Sequence, residues 1–222
     1  SETYTYSEVG QPIGQFYGYN VIGMFTKEDD FYKRDSYGNY ILDKNGERVK
    51  VAIPKGKNIS ESEIWVGDYI YEDIDDNGVI DEKDRTYLGN PEPKFSYGFN
   101  NSFSYKGFDL NIFINGVYGN KVVNMLRKEF TNPMNNSGML KEAVNIELID
   151  PSQPTTLSNV YVSNAGSAQV QRITAANAND NNRMSSRFVE DGSYLRIKNI
   201  SLGYTFPKKW ISKLNIDNLR VY

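Results

Sequence analysis

Aromatic and small polar residues alternate along residues 95–105. The odd positions carry the aromatic side chains Phe95, Tyr97, Phe99, Phe103 and Tyr105, with Asn101 as the interruption. The even positions carry only Ser, Gly and Asn. A period of two places the aromatic rings on one face of a β-strand. The run spans 11 residues, and a tilted strand needs about 9–11 residues to cross a bilayer.

The alternation continues after Lys106-Gly107, but with the opposite parity. Apolar side chains now fall at even positions, namely Phe108, Leu110, Ile112, Ile114 and Tyr118. In a two-residue hairpin, the residues that flank the turn pair directly and share a face, so Tyr105 and Phe108 belong together. Gly107 supplies the positive φ that such turns favour. The sequence therefore predicts a hairpin of two strands, near 95–105 and 108–120.

Three further strands are predicted, near 15–25, 193–206 and 218–222. Within 193–206, the apolar positions change parity near Lys198-Asn199, so a β-bulge is expected there. Pro207 to Leu214 predicts a helical turn with Pro in its first position. The segments 26–94 and 121–192 are predicted to be long loops. Short turns at one end of the strands and long loops at the other are typical of outer-membrane barrels.

Residues 73–84 have the spacing of a twelve-residue calcium loop. Counting Asp73 as the first position, oxygen-bearing side chains follow at the third, fifth, ninth and twelfth, namely Asp75, Asn77, Asp81 and Asp84. Gly78 stands where such a loop turns sharply, and Val79 offers its backbone carbonyl. The last position is Asp instead of the usual Glu, and no helix-loop-helix pattern surrounds the loop. Two interpretations remain open, a calcium site and an Asx-rich turn without metal.

Composition excludes several kinds of chemistry. The 222 residues include no Cys and no His, which excludes disulfides, a thiol nucleophile, a Ser-His pair and the usual zinc ligand sets. The net charge is −3 and there is no polybasic run, so no nucleic-acid partner is expected. The acidic pairs Glu61/Glu63 and Glu190/Asp191 are compatible with a hydrolase, but neighbouring acids are usually solvated, and no enzyme is expected.

Aromatic residues in the first long loop have two interpretations. Trp65, Tyr69 and Tyr71 are compatible with stacking on sugar rings, because loops often carry binding sites. They are equally compatible with packing inside the loop or with an interfacial aromatic belt, and that interpretation is favoured. No apolar run approaches the ~18 residues of a membrane helix.

Several motifs occur in the same order as in a known family. They are Pro12 to Tyr19, Asp73 to Arg85 followed by Leu88 to Pro93, Phe95 to Leu110, Arg187 to Asn199, and the ending Leu219-Arg220-Val221-Tyr222. Together they resemble the SusC/RagA-type TonB-dependent outer-membrane transporters. The resemblance covers most of residues 10–130 and 186–222. It departs from the family at Val66, where the family has the Pro of Pro-Gly-Asp, and 132–186 shows little match.

The resemblance implies an all-β fold, an antiparallel transmembrane β-barrel segment of a presumed 22-stranded transporter with long extracellular loops. Residues 1–222 would form one partial β-barrel domain without a plug domain. The family imports glycans or peptides across the bacterial outer membrane, with outer-membrane lipid around the barrel. Its partners are a SusD-type lipoprotein lid and TonB, here through an N-terminal region absent from this chain. No cofactor is required, and calcium in the acidic loop is the one candidate.

The strand number limits what the chain does alone. About four to six strands cannot close a barrel, because the smallest known have 8, and an open sheet in lipid leaves costly unpaired edges. We therefore expect the chain to belong to a longer polypeptide. The alternative is a soluble, calcium-stabilised β-sandwich carbohydrate-binding module, whose aromatic face packs on a second sheet. A sandwich core usually prefers Val, Ile and Leu, whereas 95–105 is aromatic, which favours the barrel.

Overall fold

The computed structural model describes residues 4–132, 134, 138–144, 146–149, 156–166, 170–174 and 176–222. The strands of these residues are β1 (Thr5–Tyr6), β2 (Gln15–Tyr19), β3 (Val21–Met24), β4 (Ile53–Pro54), β5 (Tyr69–Tyr71), β6 (Val79–Ile80), β7 (Arg85–Gly89), β8 (Phe95–Tyr105), β9 (Phe108–Tyr118), β10 (Lys121–Val123), β11 (Leu148–Ile149), β12 (Tyr161–Val162), β13 (Val189–Asp191), β14 (Tyr194–Thr205) and β15 (Arg220–Val221). The mostly-β character predicted from the sequence is confirmed.

Helical segments are few and short in this part of the chain. The α-helices are α1 (Met125–Phe130) and α2 (Lys208–Ile211), and 3-10 turns cover Glu28–Phe31, Glu82–Asp84, Lys141–Val144, Ser186–Phe188 and Ser212–Leu214. Among the described residues, no helix is both long enough and apolar enough to span a membrane.

The chain forms two compact units. Unit 1 contains Ser1–Gly89 and Val123–Glu190, and unit 2 contains Asn90–Val122 and Asp191–Tyr222. The sequence instead predicts one partial-barrel domain over 1–222, and that both units belong to one barrel stays a prediction. The strand predicted near 15–25 consists of β2 and β3, which pair with different strands. The predicted loop 121–192 contains all the undescribed residues beyond position 132, so those parts of that prediction lie outside the described residues.

Unit 2 is built around a hairpin with a tight turn. β8 and β9 pair without a break over their full 11 residues, ending at Tyr105 opposite Phe108. Lys106 and Gly107 have φ of 50° and 86°. Positive φ at both central residues defines a type I′ turn, whose twist matches that of the two strands. The predicted two-residue hairpin is therefore confirmed.

Two more strands complete the sheet of unit 2. The order is β15-β14-β9-β8, and every neighbouring pair is antiparallel. The register between β14 and β9 shifts between Ile197 and Asn199, so the predicted bulge is confirmed. The predicted helical turn consists of α2 and the 3-10 turn Ser212–Leu214, with Pro207 at its start. This turn connects β14 to β15.

Unit 1 combines small sheets with two apolar clusters. Its sheets are β1-β2-β7, β3-β5, β4-β6 and β11-β12. One cluster is formed by Phe25, Phe31, Ile64, Trp65, Val66, Val160 and Val162. The other is formed by Tyr19, Ala52, Tyr69, Tyr71 and Ile80. Each cluster collects residues that are far apart in sequence, so much of what the sequence predicts as loop is packed around a core.

A buried ion pair joins two distant segments of unit 1. Arg172 Nε lies 2.9 Å from Asp68 Oδ1, and the two side chains are 8% and 1% exposed. Arg172 also donates to the backbone carbonyls of Glu61 and Glu63. Asn181 Nδ2 donates to Asp68 Oδ1 at 2.8 Å. Because buried charges are stable only with such a set of partners, this network fixes residues 61–68 against Arg172 and Asn181.

Candidate functional site: an apolar sheet face and an acidic loop

The sheet of unit 2 has one face that is almost entirely apolar. Directly paired residues of neighbouring strands lie on the same face. The register therefore groups Phe95, Tyr97, Phe99, Asn101, Phe103 and Tyr105 of β8 with Phe108, Leu110, Ile112, Ile114, Gly116 and Tyr118 of β9 and with Leu195, Ile197, Ile200, Leu202 and Tyr204 of β14. We call this set the apolar face.

Aromatic rings occupy both ends of the apolar face. At one end the ring centroids of Phe95 and Tyr118 are 5.3 Å apart, and at the other end those of Phe108 and Tyr204 are 4.4 Å apart. On β9 and β14 the side chains of this face between these ends are aliphatic apart from Gly116, namely Leu110, Ile112, Ile114, Leu195, Ile197, Ile200 and Leu202. Membrane barrels show this arrangement, an apolar band flanked by two aromatic girdles.

The apolar face is exposed, and its length suits a bilayer. Phe99 and Phe103 are each 58% exposed, Ile200 is 61% exposed and Leu202 is 59% exposed. Ten steps of ~3.4 Å make β8 about 34 Å long, and a tilt of about 45° reduces its vertical span to about 24 Å. The apolar band of a membrane barrel is about 25 Å tall. Contiguous apolar surface of this kind is unusual on soluble proteins and marks an interaction surface.

The opposite face of the same sheet is mostly polar. It carries the even-numbered Ser, Gly and Asn residues of β8 together with Asp109, Asn111, Ser201 and Arg220. Arg220 Nη2 lies 2.6 Å from Asp109 Oδ2, and both side chains remain partly exposed. Gly203 makes room for this pair, since a Cβ there would lie 2.6 Å from Asp109 Oδ2. A polar face suits the water-filled interior of a barrel.

Gly116 interrupts the apolar face, and an aromatic ring covers it. A Cβ at Gly116 would lie 2.3 Å from the Tyr97 ring and 2.5 Å from the Tyr194 carbonyl oxygen. The glycine therefore lets the ring of its paired residue lie flat across the strand, an arrangement known as aromatic rescue. The apolar surface consequently stays continuous between β8 and β14.

The short and long connections of the sheet lie at opposite strand ends. The Lys106-Gly107 turn and the α2 connection follow the ends of β8 and β14 that carry Tyr105 and Tyr204. The long segments of unit 1 precede β8, follow β9 and precede β14 at their other ends. In bacterial membrane barrels, the short turns are periplasmic and the long loops are extracellular.

The acidic loop brings three of its predicted ligands together. Carboxylate oxygens of Asp73, Asp75 and Asp84 all lie within 4.8 Å of one another. Backbone amides hold them in place. Asp73 accepts from Gly78 at 2.9 Å, and Asp84, which is fully buried, accepts from Ile74 at 2.9 Å and from Asp81 at 2.7 Å. Each carboxylate oxygen has two lone-pair sites, so these bonds leave capacity for a cation.

The remaining predicted ligands have other roles in the structure. Asp81 lies outside the group of three, and its Oδ1 accepts the Lys83 amide at 2.9 Å as a helix cap. In calcium loops this position often acts through water. Asn77 Oδ1 accepts the Val79 amide at 2.8 Å, which closes the turn at Gly78. These bonds are also those of an Asx-rich turn, so both interpretations of the loop agree with its geometry.

Two lysines partly neutralise the acidic loop. Lys33 Nζ lies 2.7 Å from Asp76 Oδ1 and 3.9 Å from Asp73 Oδ2, and Lys83 Nζ lies 3.9 Å from Asp75 Oδ2. The hydrogen bond from Lys33 lowers the pKa of Asp76. A calcium ion would compete with both lysines for the same carboxylates.

Curated relatives cover this chain almost completely. It is 30% identical over 213 residues to TonB-dependent receptor P3 of Formosa agariphila, covering 96% of this chain and 17% of that protein. It is 24% identical over 225 residues to TonB-dependent receptor P39 of the same organism, covering 95% of this chain and 20% of that protein. No family model matches the chain.

Solved structures show the same fold. The RagAB peptide importer in its closed-closed state aligns with a TM-score of 0.50 at 16% identity, covering 98% of this chain and 20% of that chain. A second structure of the RagAB peptide transporter aligns with a TM-score of 0.50 at 18% identity. This chain is a relative of the TonB-dependent receptors. The resemblance to SusC/RagA-type transporters is confirmed.

As a relative of the TonB-dependent receptors, the chain belongs to the bacterial outer membrane, as the sequence predicts. It spans about a fifth of the length of the curated relatives it matches. These relatives are named as receptors and not as enzymes.

Structural roles account for the three aromatic residues that were considered for sugar stacking and for two of the acids that were considered for hydrolysis. Trp65, Tyr69 and Tyr71 are 6%, 4% and 2% exposed, so they belong to the core of unit 1. Glu63 accepts the Asn58 amide at 2.9 Å. Glu190 accepts from the Asn124 side chain at 3.0 Å.

The sequence patterns do not reveal a cavity in unit 1. Its volume is about 830 Å³, and its lining includes Tyr19, Arg85, Asn182 and Arg183. The guanidinium of Arg183 lies 4.6 Å from the centroid of the Tyr19 ring. The lining residues come from segments more than 150 positions apart, and no spacing rule connects them. Such a lining offers hydrogen-bond donors and acceptors to a polar ligand.

Proposed function

We propose that this chain forms wall strands and extracellular loops of a TonB-dependent nutrient importer of the bacterial outer membrane. The observation that carries the proposal is the apolar face of unit 2. It is exposed, it has aromatic rings at both ends, and its span of about 24 Å matches the apolar band of membrane barrels. A polar face on the other side of the same strands suits a lumen.

The complete protein would be a 22-stranded barrel of the SusC/RagA type. Four strands with two edges are incomplete in lipid, because every backbone group there needs a partner. In this proposal β8 and β15 pair with strands contributed by the rest of the polypeptide. TonB would act through a region outside this chain.

The cargo in this proposal is a glycan or a peptide, enclosed by a SusD-type lipoprotein. Two observations support a polar cargo. The neighbours in structure are named peptide importers, and the cavity of unit 1 has a lining of mixed charge, with Arg85 and Arg183 beside Asp81, Glu82 and Asp180. Mixed charge suits the charged termini and side chains of a peptide, and the same side chains can form hydrogen bonds with the hydroxyl groups of a glycan.

Membrane fractionation and reconstitution test this function. The full protein that carries this chain should sediment with the outer membrane and stay monodisperse only in detergent or lipid. Cells that lack its gene should lose growth on one oligosaccharide or peptide source and regain it with the gene restored. A full protein that is monodisperse in plain buffer would overturn the proposal.

The soluble β-sandwich module is less well supported. That fold requires the aromatic face to be covered by a second sheet. Among the described residues, Phe99 and Leu202 remain 58% and 59% exposed. The four-stranded sheet of unit 2 is a separate sheet that shares no strand with the others. The detergent requirement of the full protein distinguishes the two functions.

We also propose that the acidic loop binds calcium and thereby orders unit 1 near β6 and β7. The residues fit a hard cation, because Asp73, Asp75 and Asp84 present carboxylate oxygens that already converge. Asn77 and the Val79 carbonyl would complete the ligands, with Asp81 acting through water. Asp84 is buried and held by two backbone amides, so the loop would need little rearrangement.

Chelation and one matched pair of variants test the calcium proposal. Removal of calcium, or Asp75→Ala, should increase hydrogen exchange over residues 68–90. The control is Asp43→Ala, because Asp43 closes a similar exposed Asx turn through Asn45 and Glu47 but belongs to no group of three converging acidic side chains among the described residues. If the chelator leaves the exchange of 68–90 unchanged, the loop is an Asx-rich turn without metal.

A further inference from the structure

The connection between β14 and β15 exposes an amphipathic pattern. Trp210 and Leu214 are four residues apart and are 63% and 68% exposed, whereas Ile211 between them is 3% exposed and anchors the turn. Lys209 and Lys213 are also four residues apart and exposed. These residues lie in α2 and in the 3-10 turn that follows it without a gap, so the two members of each pair are about one helical turn apart. The turn therefore presents an apolar pair and a basic pair beside each other.

Positive charge is concentrated at this end of the sheet. Residues 206–218 contain Lys208, Lys209 and Lys213, and Asp217 is the only acid among them. Lys106 lies in the neighbouring turn, with its Nζ 5.1 Å from the Tyr105 ring centroid. Asp109, the one acid on the four strands of this sheet, already pairs with Arg220 at 2.6 Å. The strands of this sheet therefore provide little negative charge to compensate the lysines at this end.

The same end carries one aromatic girdle of the apolar face. Tyr105 is 69% exposed and Phe108 is 51% exposed, and the α2 connection follows the end of β14 just beyond Tyr204 of the same row. Aromatic side chains at such a position lie at the level of the lipid headgroups. The lysines of the connection would then lie just beyond the girdle, where the phosphates are.

We infer that residues 207–214 bind anionic phospholipid headgroups of the periplasmic leaflet, with Trp210 and Leu214 in the interface and Lys209 and Lys213 on the phosphates. This inference rests on the proposed function, since it requires the sheet to be in a membrane. The ligand class follows from the chemistry. Lysine is a point-charge partner for phosphate, and an apolar pair beside a basic pair is the pattern of interfacial segments.

Quenching of Trp210 by brominated lipids measures this preference. The full protein is reconstituted in vesicles that contain brominated phosphatidylglycerol or brominated phosphatidylcholine. The contribution of Trp210 is obtained by subtracting the fluorescence of the Trp210→Phe variant from that of the unmodified protein. We expect stronger quenching by the brominated phosphatidylglycerol. The double variant with Lys209→Gln and Lys213→Gln should have an apparent preference for phosphatidylglycerol over phosphatidylcholine that is lower by about fivefold for each lysine removed. The control, Lys44→Gln with Lys50→Gln, changes two exposed lysines of unit 1 and should leave it unchanged.

The outcomes separate this inference from the proposed function. Equal quenching by the two brominated lipids, or equal preference in the lysine variants and the control, would overturn the lipid site while leaving the barrel intact. A protein that does not enter vesicles at all would overturn the proposed function. Loss of the preference at high salt in the unmodified protein would support the electrostatic part, because exposed charges are screened.

Discussion

The two units place the same residue types in opposite surroundings. In unit 1, Tyr69 and Tyr71 are 4% and 2% exposed, whereas in unit 2 Tyr105 and Tyr118 are 69% and 52% exposed. Unit 1 follows the rule for proteins in water, with apolar side chains inside. Unit 2 turns its apolar side chains outward and its polar side chains to the other face. In the proposed function, this difference corresponds to two solvents, water around unit 1 and lipid against the apolar face of unit 2.

The ion pairs of the two units differ in the same way. Asp68 and Arg172 of unit 1 are buried and bound to further partners. Asp109 and Arg220 of unit 2 are 32% and 50% exposed and lie on the polar face. A buried pair is costly to break, because the remaining charge loses its partner without regaining water. An exposed pair contributes little. Variants of the two units test this contrast.

Arg172→Met should destabilise unit 1 by about 3–5 kcal/mol, because it leaves the Asp68 carboxylate buried without its cation. The backbone amide of Trp65 donates to that carboxylate at 2.9 Å, so its hydrogen exchange should accelerate strongly. Lys57→Met is the control, since Lys57 forms only a partly exposed pair with Glu63 at 3.9 Å and should cost about 0–1 kcal/mol. Similar exchange in the two variants would contradict the structural role of the buried pair.

Ile200→Arg should destabilise the membrane-inserted state by about 2–4 kcal/mol, because it places a charge on the apolar face near the middle of the bilayer. Its neighbour Ser201 lies on the polar face, so Ser201→Arg should have a much smaller effect. Urea unfolding of the full protein in lipid vesicles measures both. Equal costs for the two variants would show that both faces of β14 meet the same solvent.

The sheet of unit 2 is the part of the fold that the sequence predicts well. A period of two over 11 residues repeats the same signal many times, and the parity change at Lys106-Gly107 fixes the register. The girdle at the turn end becomes complete only with the register of β14, since Tyr204 meets Phe108 through pairing. The polarity pattern therefore predicts the strands, whereas the continuous apolar surface can be described only when the pairing of the strands is known.

Most of the structure of unit 1 cannot be predicted from local sequence patterns, for physical reasons. Most of its strands have two to five residues, too short for a periodic signal. Its central ion pair joins residues 104 positions apart, and no local rule connects them. The acidic loop is the exception, because its ligands are close in sequence. Its spacing predicts the convergence of Asp73, Asp75 and Asp84, but not the competing lysines such as Lys33.

Alkaline pH should weaken unit 1. Burial raises the pKa of Tyr69 and of Tyr71, whereas an unfolded tyrosine has a pKa of about 10. The stability that these protonated hydroxyls contribute is complete below that pH and is lost as the pH rises above it. At about pH 11 the loss is about 1.4 kcal/mol for each tyrosine. Protease susceptibility of unit 1 should therefore increase above about pH 10, and Tyr71→Phe should flatten this dependence. An unchanged pH profile in that variant would exclude Tyr71 as a source.

The smallest effect is expected at the tight turn of unit 2. Lys106 has a φ of 50°, a conformation that is unfavourable for most side chains and easier for Asn, so Lys106→Asn should stabilise the hairpin by about 0.5–1 kcal/mol. Gly107→Ala should act in the opposite direction, since a Cβ there would lie 2.7 Å from the Thr205 carbonyl oxygen. Heat-dependent unfolding of the full protein in zwitterionic detergent, monitored by the change in its mobility on gels, measures both changes in the absence of anionic lipid. If Lys106→Asn lowered the unfolding temperature, the side chain of Lys106 would contribute more to the turn than its backbone strain costs.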